Sequence, residues 1–83
     1  MNVEFHPDVY KQLQRLPRQV FAVALDAIIG LATDPRPTGV VKLAGSSSDW
    51  RIRIGQYRIV YEIDDRDQVV TVLTVAKRSD VYR

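Results

Sequence analysis

The sequence contains no cysteine and a single histidine, His6. The absence of thiols excludes a disulfide framework, a thiolate metal site and a cysteine nucleophile. Protein zinc sites draw on several His or Cys ligands, so we expect no metal, and no motif indicates another cofactor. Apolar runs fall short of the ~18 residues of a membrane span, and the first residues lack the basic and apolar regions of a signal peptide. These absences predict a cytoplasmic protein with no membrane partner.

The 83 residues, of which 46% are hydrophobic and 27% charged, predict one folded domain over residues 1–83. The net charge is only +2, but it is unevenly spread: residues 1–41 contain four basic and four acidic residues, whereas residues 42–83 contain eight and six. Four of these six acids lie within residues 62–67, so the rest of the C-terminal half is strongly basic. This asymmetry favours a surface that faces a polyanion, although a solvated charged face is the more common origin of a basic cluster.

Apolar residues recur at helical spacing in the N-terminal half of the chain. A short alternating strand over residues 3–6 stops at Pro7, which suits the first position of a helix because the missing N–H has no partner there. Pro17 ends this helix and is placed to open a second one, which the prolines at 35 and 37 stop. Two antiparallel helices follow, with apolar stripes formed by Val9, Leu13 and Leu16 and by Val20, Ala24, Ile28 and Leu31.

From Val40 onward the apolar period changes from about 3.6 to about 2, which is typical of strands. Residues 42–49 suit a loop or a short edge segment, and residues 50–54 and 57–63 alternate on either side of Gly55-Gln56. A two-residue loop that begins with glycine indicates a type II′ hairpin. Residues 64–67 form a second turn and residues 69–76 a last strand. The predicted fold is α+β, in the order β-α-α-β-β-β, with a small, mostly antiparallel sheet packed on the helical hairpin.

The predicted hairpin fixes which side chains share a face of the sheet. With Gly55 and Gln56 as its loop, Arg53 lies opposite Arg58, and Arg51 shares their face. Directly opposed like charges destabilise a sheet by some tenths of a kcal/mol, which favours an anion bound between them. Pairing with Glu62 or an aspartate, or simple solvation, is the alternative. The apolar face that packs on the helices comprises Trp50, Ile52, Ile54, Tyr57, Ile59 and Tyr61.

Other clusters are weaker candidates for a site. His6 precedes the helix-opening proline and has no second imidazole, so a capping or surface role is expected rather than general-base catalysis. The aspartates at 64, 65 and 67 lack the glycine and the bidentate glutamate of a calcium loop, so they indicate a turn. Tyr82 differs from the other tyrosines, because it follows the last strand in a strongly cationic tail.

Three segments together resemble the RelE/ParE toxin superfamily, and its RelE branch in particular: KLAG at residues 42–45, WRIRIGQYRIVYE at 50–62 and VAKRSDVYR at 75–83. The resemblance spans the whole chain and includes the order of helices and strands. It implies a toxin of a type II toxin–antitoxin system that cuts messenger RNA in the ribosomal A site without a metal. In that reaction the 2′-hydroxyl attacks the adjacent phosphate and leaves a 2′,3′-cyclic phosphate and a 5′-hydroxyl.

The resemblance also implies catalytic residues, which are Arg51, Arg53, Arg58, Arg78 and Tyr82. Arg53 and Arg58 would bind the non-bridging phosphate oxygens, and Arg78 would neutralise the phosphate or assist the leaving 5′-oxygen. Tyr82 would act as general base or stack on the splayed base. Arginines at 51 and 53 stand where the family often has lysines and are too basic to shuttle protons at neutral pH, so that work falls to Tyr82 or water. The implied RNA-binding residues are Lys42, Arg51, Arg53, Lys77 and Arg83.

The partners that the resemblance implies are a small RelB-like antitoxin, the 70S ribosome with its messenger RNA, and ribosomal RNA. The toxin–antitoxin complex would bind operator DNA through the antitoxin. Two alternatives keep the fold and change the function: a ParE-like inhibitor of DNA gyrase, and a catalytically silent member that only binds its antitoxin. The arginines and Tyr82 favour the ribonuclease, because a gyrase inhibitor has no reason to assemble them.

Overall fold

The computed structural model describes residues 1–43, 45 and 49–77. Within them the chain forms two helices and five strands: β1 (Asn2–Phe5), α1 (Pro7–Gln14), α2 (Arg18–Gly30), β2 (Val41–Lys42), β3 (Asp49–Ile54), β4 (Tyr57–Asp64) and β5 (Val69–Lys77). The predicted α+β class and the order of its helices and longer strands are confirmed. The one addition is β2, a two-residue edge strand within the segment predicted to be a loop or a short edge segment.

The strands form one mixed sheet in the order β1-β5-β4-β3-β2. β1 runs parallel to β5, and the other neighbouring pairs are antiparallel. The parallel pair requires a crossover connection, which the two helices provide. α1 packs against β5 and α2 reaches β3, so both helices cover the same face of the sheet. Neither α1 nor α2 covers the opposite face of β3 and β4.

Helix α1 begins where the sequence predicts. Pro7 occupies the first turn, and His6 is the N-cap, its Nδ1 accepting a hydrogen bond from the Asp8 backbone N–H at 3.2 Å. This bond satisfies one of the amide groups that a helix start leaves without a partner. The predicted capping role of His6 is therefore confirmed. With 8 residues in α1 and 13 in α2, neither helix is long and apolar enough to cross a membrane, and the rest of the described chain has no helix that could.

The core lies between the two helices and the central strands β4 and β5. Most residues of the predicted helical stripes are buried there, and Leu16 packs at the margin. Trp50, Ile52 and Ile54 of β3 also pack against this core, on the face that the hairpin register predicted. Full burial of one such aliphatic side chain contributes about 1.5–3 kcal/mol to folding, so this layer is the main stabilising element. The buried cluster comprises Val9, Leu13, Ala24, Ile28, Leu31, Ile59, Tyr61, Ile63, Val70, Val72 and Val75.

An irregularity in β5 changes which of its residues face the helices. Val60 pairs with Thr74 and Tyr61 pairs with Val72, so Leu73 is an extra residue in the ladder. As a result Val72 and Val75 both lie in the core, although they are three positions apart. The backbone N–H of Val75 donates to Oε1 of Gln12 at 2.7 Å, which ties α1 to the strand beyond the bulge.

Candidate functional site

The β3–β4 hairpin has the predicted register. Ile54 pairs with Tyr57, Arg53 with Arg58, and Ile52 with Ile59. Gly55 has a φ of 58°, and Gln68 is the sole non-glycine residue with a positive φ in the described part of the chain, so Gln56 has a negative one. A positive φ at the first loop residue alone matches the type II′ turn that the sequence indicated.

The hairpin places Arg51, Arg53 and Arg58 on the sheet face opposite α1 and α2, and we call these three residues the arginine face. Arg53 is exposed, Arg51 is half-buried, and Arg58 is only 3% exposed. The pairing of Arg53 with Arg58 brings two of the three guanidinium-bearing residues directly opposite each other. The face thus combines an accessible cation with an inaccessible one.

Arg58 is buried, so simple solvation of its guanidinium, one of the alternatives that the sequence left open, does not hold for this residue. The residue points away from the core, as its position beside Ile59 predicts, but it is not a surface side chain. Its Nη1 donates to the carbonyl oxygen of Tyr57 at 3.4 Å. A guanidinium keeps its charge even when buried, and withdrawal from water strengthens its interaction with an anion. Arg58 is thus both a packed residue and a cation held at a fixed position.

The two predicted RNA-binding lysines lie on the other side of the sheet. Lys42 pairs with Trp50, so it shares the helix-side face, while its neighbour Val41 pairs with Arg51. Lys77 pairs with Tyr57 and is likewise on the helix side. Alternation along the strands therefore separates both lysines from the arginine face. The predicted residues Arg78, Tyr82 and Arg83 lie outside the described residues, and their roles stay predictions.

Lys77 instead belongs to an open groove of about 430 Å³ between the end of α1 and the ends of β4 and β5. Sequence reasoning missed Arg15, the C-cap of α1, in this groove, because it sought the polyanion-binding surface in the basic C-terminal half. The run from residue 9 to residue 25, which has three basic residues and no acid, was the available signal. The groove is lined by Gln12, Arg15, Leu16, Tyr57, Val75, Ala76 and Lys77.

The opposite end of the sheet contains an ion pair between Arg36 and Asp65. Arg36 donates to both carboxylate oxygens of Asp65, at 3.2 and 2.8 Å, and its guanidinium lies 5.2 Å from the Trp50 ring centroid. The hydrogen bond from Arg36 lowers the pKa of the Asp65 carboxyl below its ordinary value. The acidic turn is confirmed, since the Asp67 backbone N–H donates to Oδ1 of Asp64 at 3.1 Å. Nowhere in residues 1–43, 45 and 49–77 do three metal-ligating side chains converge.

Tyr61 anchors the long α2–β2 connection to this end of the sheet. Its hydroxyl donates to the carbonyl oxygen of Pro35 at 2.8 Å. Burial raises the pKa of the Tyr61 phenol to about 12, although nearby Arg36 opposes the shift. With the Arg36–Asp65 pair, this bond fixes the connection across β3 and β4. These contacts give this end a structural role.

Comparison with known proteins shows the class to which this fold belongs, the toxins of type II toxin–antitoxin systems. Residues 3–82 match the family described as "ParE toxin of type II toxin-antitoxin system, parDE". The chain belongs to this family of the RelE/ParE superfamily. Toxin RelG of Mycobacterium tuberculosis is 30% identical to it over 82 residues, which cover 98% of this chain and 94% of RelG.

Solved structures that resemble this fold include RelE toxins. A chain of the archaeal RelE–RelB complex from Pyrococcus horikoshii OT3 superposes with a TM-score of 0.82 at 32% identity, covering 93% of each chain. The isolated E. coli RelE toxin superposes with a TM-score of 0.80 at 28% identity, covering 98% of this chain and 89% of that one. The protein is therefore a RelE-like toxin of a type II toxin–antitoxin system.

Proposed function

We propose that this toxin is a ribosome-dependent endoribonuclease that cleaves messenger RNA in the ribosomal A site. The observation that carries the proposal is the arginine face, where Arg58 is held in a buried position opposite the exposed Arg53. A sheet that opposes two guanidinium groups is suited to an anion that offsets their repulsion. A phosphodiester is such an anion, and the family membership makes RNA the expected one.

The reaction is a transesterification within the RNA. The 2′-oxygen loses its proton and forms a bond to phosphorus, while the bond from phosphorus to the 5′-oxygen breaks and that oxygen gains a proton. The products are a 2′,3′-cyclic phosphate and a 5′-hydroxyl. Negative charge grows on the non-bridging oxygens as the pentacoordinate phosphorus forms, and guanidinium groups stabilise it through paired N–H donors. Arg53 donates to these oxygens directly, Arg58 adds its positive charge from its buried position across the ladder, and Arg51 binds the adjoining backbone.

The remaining catalytic assignments come from the resemblance to the family. Arg78 stabilises the phosphate or the leaving 5′-oxygen. Tyr82 is either the base that accepts the 2′-hydroxyl proton or the ring on which the displaced base stacks, and Tyr82→Phe removes the first role while keeping the second. Guanidinium groups do not release protons near neutral pH, so Arg51 and Arg53 act only as positively charged hydrogen-bond donors.

We further propose a small RelB-like antitoxin as the partner that keeps the toxin inactive, with operator DNA bound through the antitoxin. The P. horikoshii relative was solved as a RelE–RelB complex, which supports a partner of this kind. An antitoxin that blocks the arginine face is expected to place acidic side chains against it. Action on ribosomes would place the toxin in the cytoplasm.

The test is to map messenger RNA ends on translating ribosomes after brief induction of the toxin. Cuts confined to the A-site codon, with 5′-hydroxyl ends downstream, are the expected result. Inhibited DNA supercoiling with intact messenger RNA would replace the proposal with gyrase inhibition. Intact messenger RNA together with unaffected supercoiling would identify a silent, antitoxin-binding member.

A further inference from the structure

Basic and acidic residues are segregated along the length of the sheet. The hairpin end, defined by Gly55, Gln56 and Lys77, is where the β3–β4 turn meets the last residue of β5. No acid occurs in residues 9–25, 50–61 or 68–77, which supply this end. Most of the acids instead lie at the other end: Asp34, Asp49, Glu62, Asp64, Asp65 and Asp67. A chain of net charge +2 thus has a strongly basic end.

The groove at the hairpin end is built to receive an anion. Arg15 and Lys77 line it, both are exposed, and neither forms an ion pair with any described residue. The Gln12 carboxamide binds the Val75 backbone through its oxygen, which leaves its amide nitrogen as a donor. Among the described residues that line the groove, none is a carboxylate. Two cationic residues, Arg15 and Lys77, and a residue with a spare amide donor, Gln12, therefore line a common groove.

The shape of the groove favours a nucleic-acid backbone over a small anion. The groove is open to solvent and, at about 430 Å³, is larger than one phosphate group requires. Leu16, which is half-buried, adds an apolar residue to the lining, against which a ribose can pack. Alternating phosphates and sugars match this arrangement of charge and apolar surface.

We propose that this groove, with Arg15 and Lys77 as its cations, is a second RNA backbone site, separate from the arginine face. The inference rests on the proposed function, since it supplies a contact to structured RNA while the substrate strand occupies the arginine face. Tyr57 and Arg58 are neighbours on β4 and face opposite sides of the sheet. Two RNA segments would therefore be held on the two faces of one strand, which orients the toxin relative to its target.

The experiment measures the affinity of labelled toxin for messenger-programmed 70S ribosomes over a series of salt concentrations. Arg15→Ala is expected to weaken binding several-fold at low salt and to reduce the slope of log affinity against log salt by about one, as for one lost phosphate contact. Lys77→Ala should weaken binding and reduce the slope to a similar extent, and the effects of the two substitutions should add. The matched control is Arg66→Ala, an exposed arginine on the turn at the other end, which should leave affinity and slope unchanged.

The outcomes separate this proposal from the proposed function. Equal affinity and slope for Arg15→Ala and Arg66→Ala would overturn the groove site even when the wild type cuts messenger RNA. Weaker binding by Arg15→Ala with an unchanged melting temperature supports the groove site whether or not cleavage is seen. If Arg15→Ala weakens binding of an acidic antitoxin peptide but leaves the affinity for ribosomes unchanged, the groove binds a protein partner. That result would overturn the RNA site.

Discussion

Arg58 shows that the position of a side chain relative to the core does not fix its exposure. Alternation along β4 places its side chain on the face opposite that of Ile59, yet it is as inaccessible to solvent as a core residue. The cation is therefore bound to the scaffold, whereas Arg53 across the ladder reaches solvent. Charge that is fixed before the substrate binds needs no reorganisation during the reaction, which is the condition for strong transition-state stabilisation.

The two opposed arginines are expected to respond differently to truncation. Arg53→Ala should slow cleavage by about a hundred- to a thousandfold, as for the loss of one donor to the developing oxyanion, and leave the melting temperature unchanged. Arg58→Ala should slow cleavage at least as much and also lower stability by about 1–3 kcal/mol, because it empties a packed position. Single-turnover cleavage on programmed ribosomes and thermal melts followed by circular dichroism measure the two effects. Near wild-type cleavage by Arg53→Ala would remove the arginine face as the active site.

Tyr61 predicts a loss of stability in alkaline solution. Its pKa is raised from 10.0 to about 12 in the folded protein, so the unfolded chain ionises first. The contribution of Tyr61 to folding is thus complete below pH 10 and disappears as the pH rises to about 12. Tyr61→Phe, which cannot donate to Pro35, should be less stable at neutral pH, and its deficit should shrink across this interval. Urea unfolding at several pH values measures the deficit, with exposed Tyr10→Phe as the control.

At the scale of elements, the Gln12–Val75 bond links α1 to the strand beyond the bulge. Gln12→Ala should destabilise the fold by about 1–3 kcal/mol, because it leaves a partly buried backbone N–H without its acceptor. Gln14→Ala, at an exposed position of the same helix, should change stability by less than about 0.5 kcal/mol. Chemical unfolding of both variants measures the difference. Equal stability would show that water replaces the glutamine oxygen at no cost.

The hairpin was the element most fully predicted from the sequence. Gly55 at a two-residue loop determines the turn, the turn determines the register, and alternation then assigns every side chain of β3 and β4 to a face. The bulge at Leu73 was not predicted. Valines and threonines suit both faces of a strand, so the sequence of β5 does not indicate which of its residues face the helices. Only packing against α1 and β4 selects the arrangement that buries both Val72 and Val75.

For the whole molecule, the arginine face predicts how the toxin is neutralised. A peptide of the cognate antitoxin that carries acidic residues should bind with an affinity that falls as salt rises, because the contacts are charge pairs near the surface. Arg53→Ala should weaken this binding, and Arg66→Ala, at the far end, should not. Calorimetric titration at two salt concentrations measures both. Binding that is insensitive to salt and to Arg53→Ala would place the antitoxin elsewhere on the toxin.

The sequence by itself determined the helices, the hairpin and the two faces of the sheet, because helical and strand periodicities and turn chemistry act over a few neighbouring residues. The pattern of motifs likewise indicated the family. Tertiary structure alone decided the burial of Arg58, the helix-side positions of Lys42 and Lys77, and the groove that joins Lys77 to Arg15. These features depend on where α1 and the edge strand pack against the sheet, and such contacts between distant segments have no local signature in the chain.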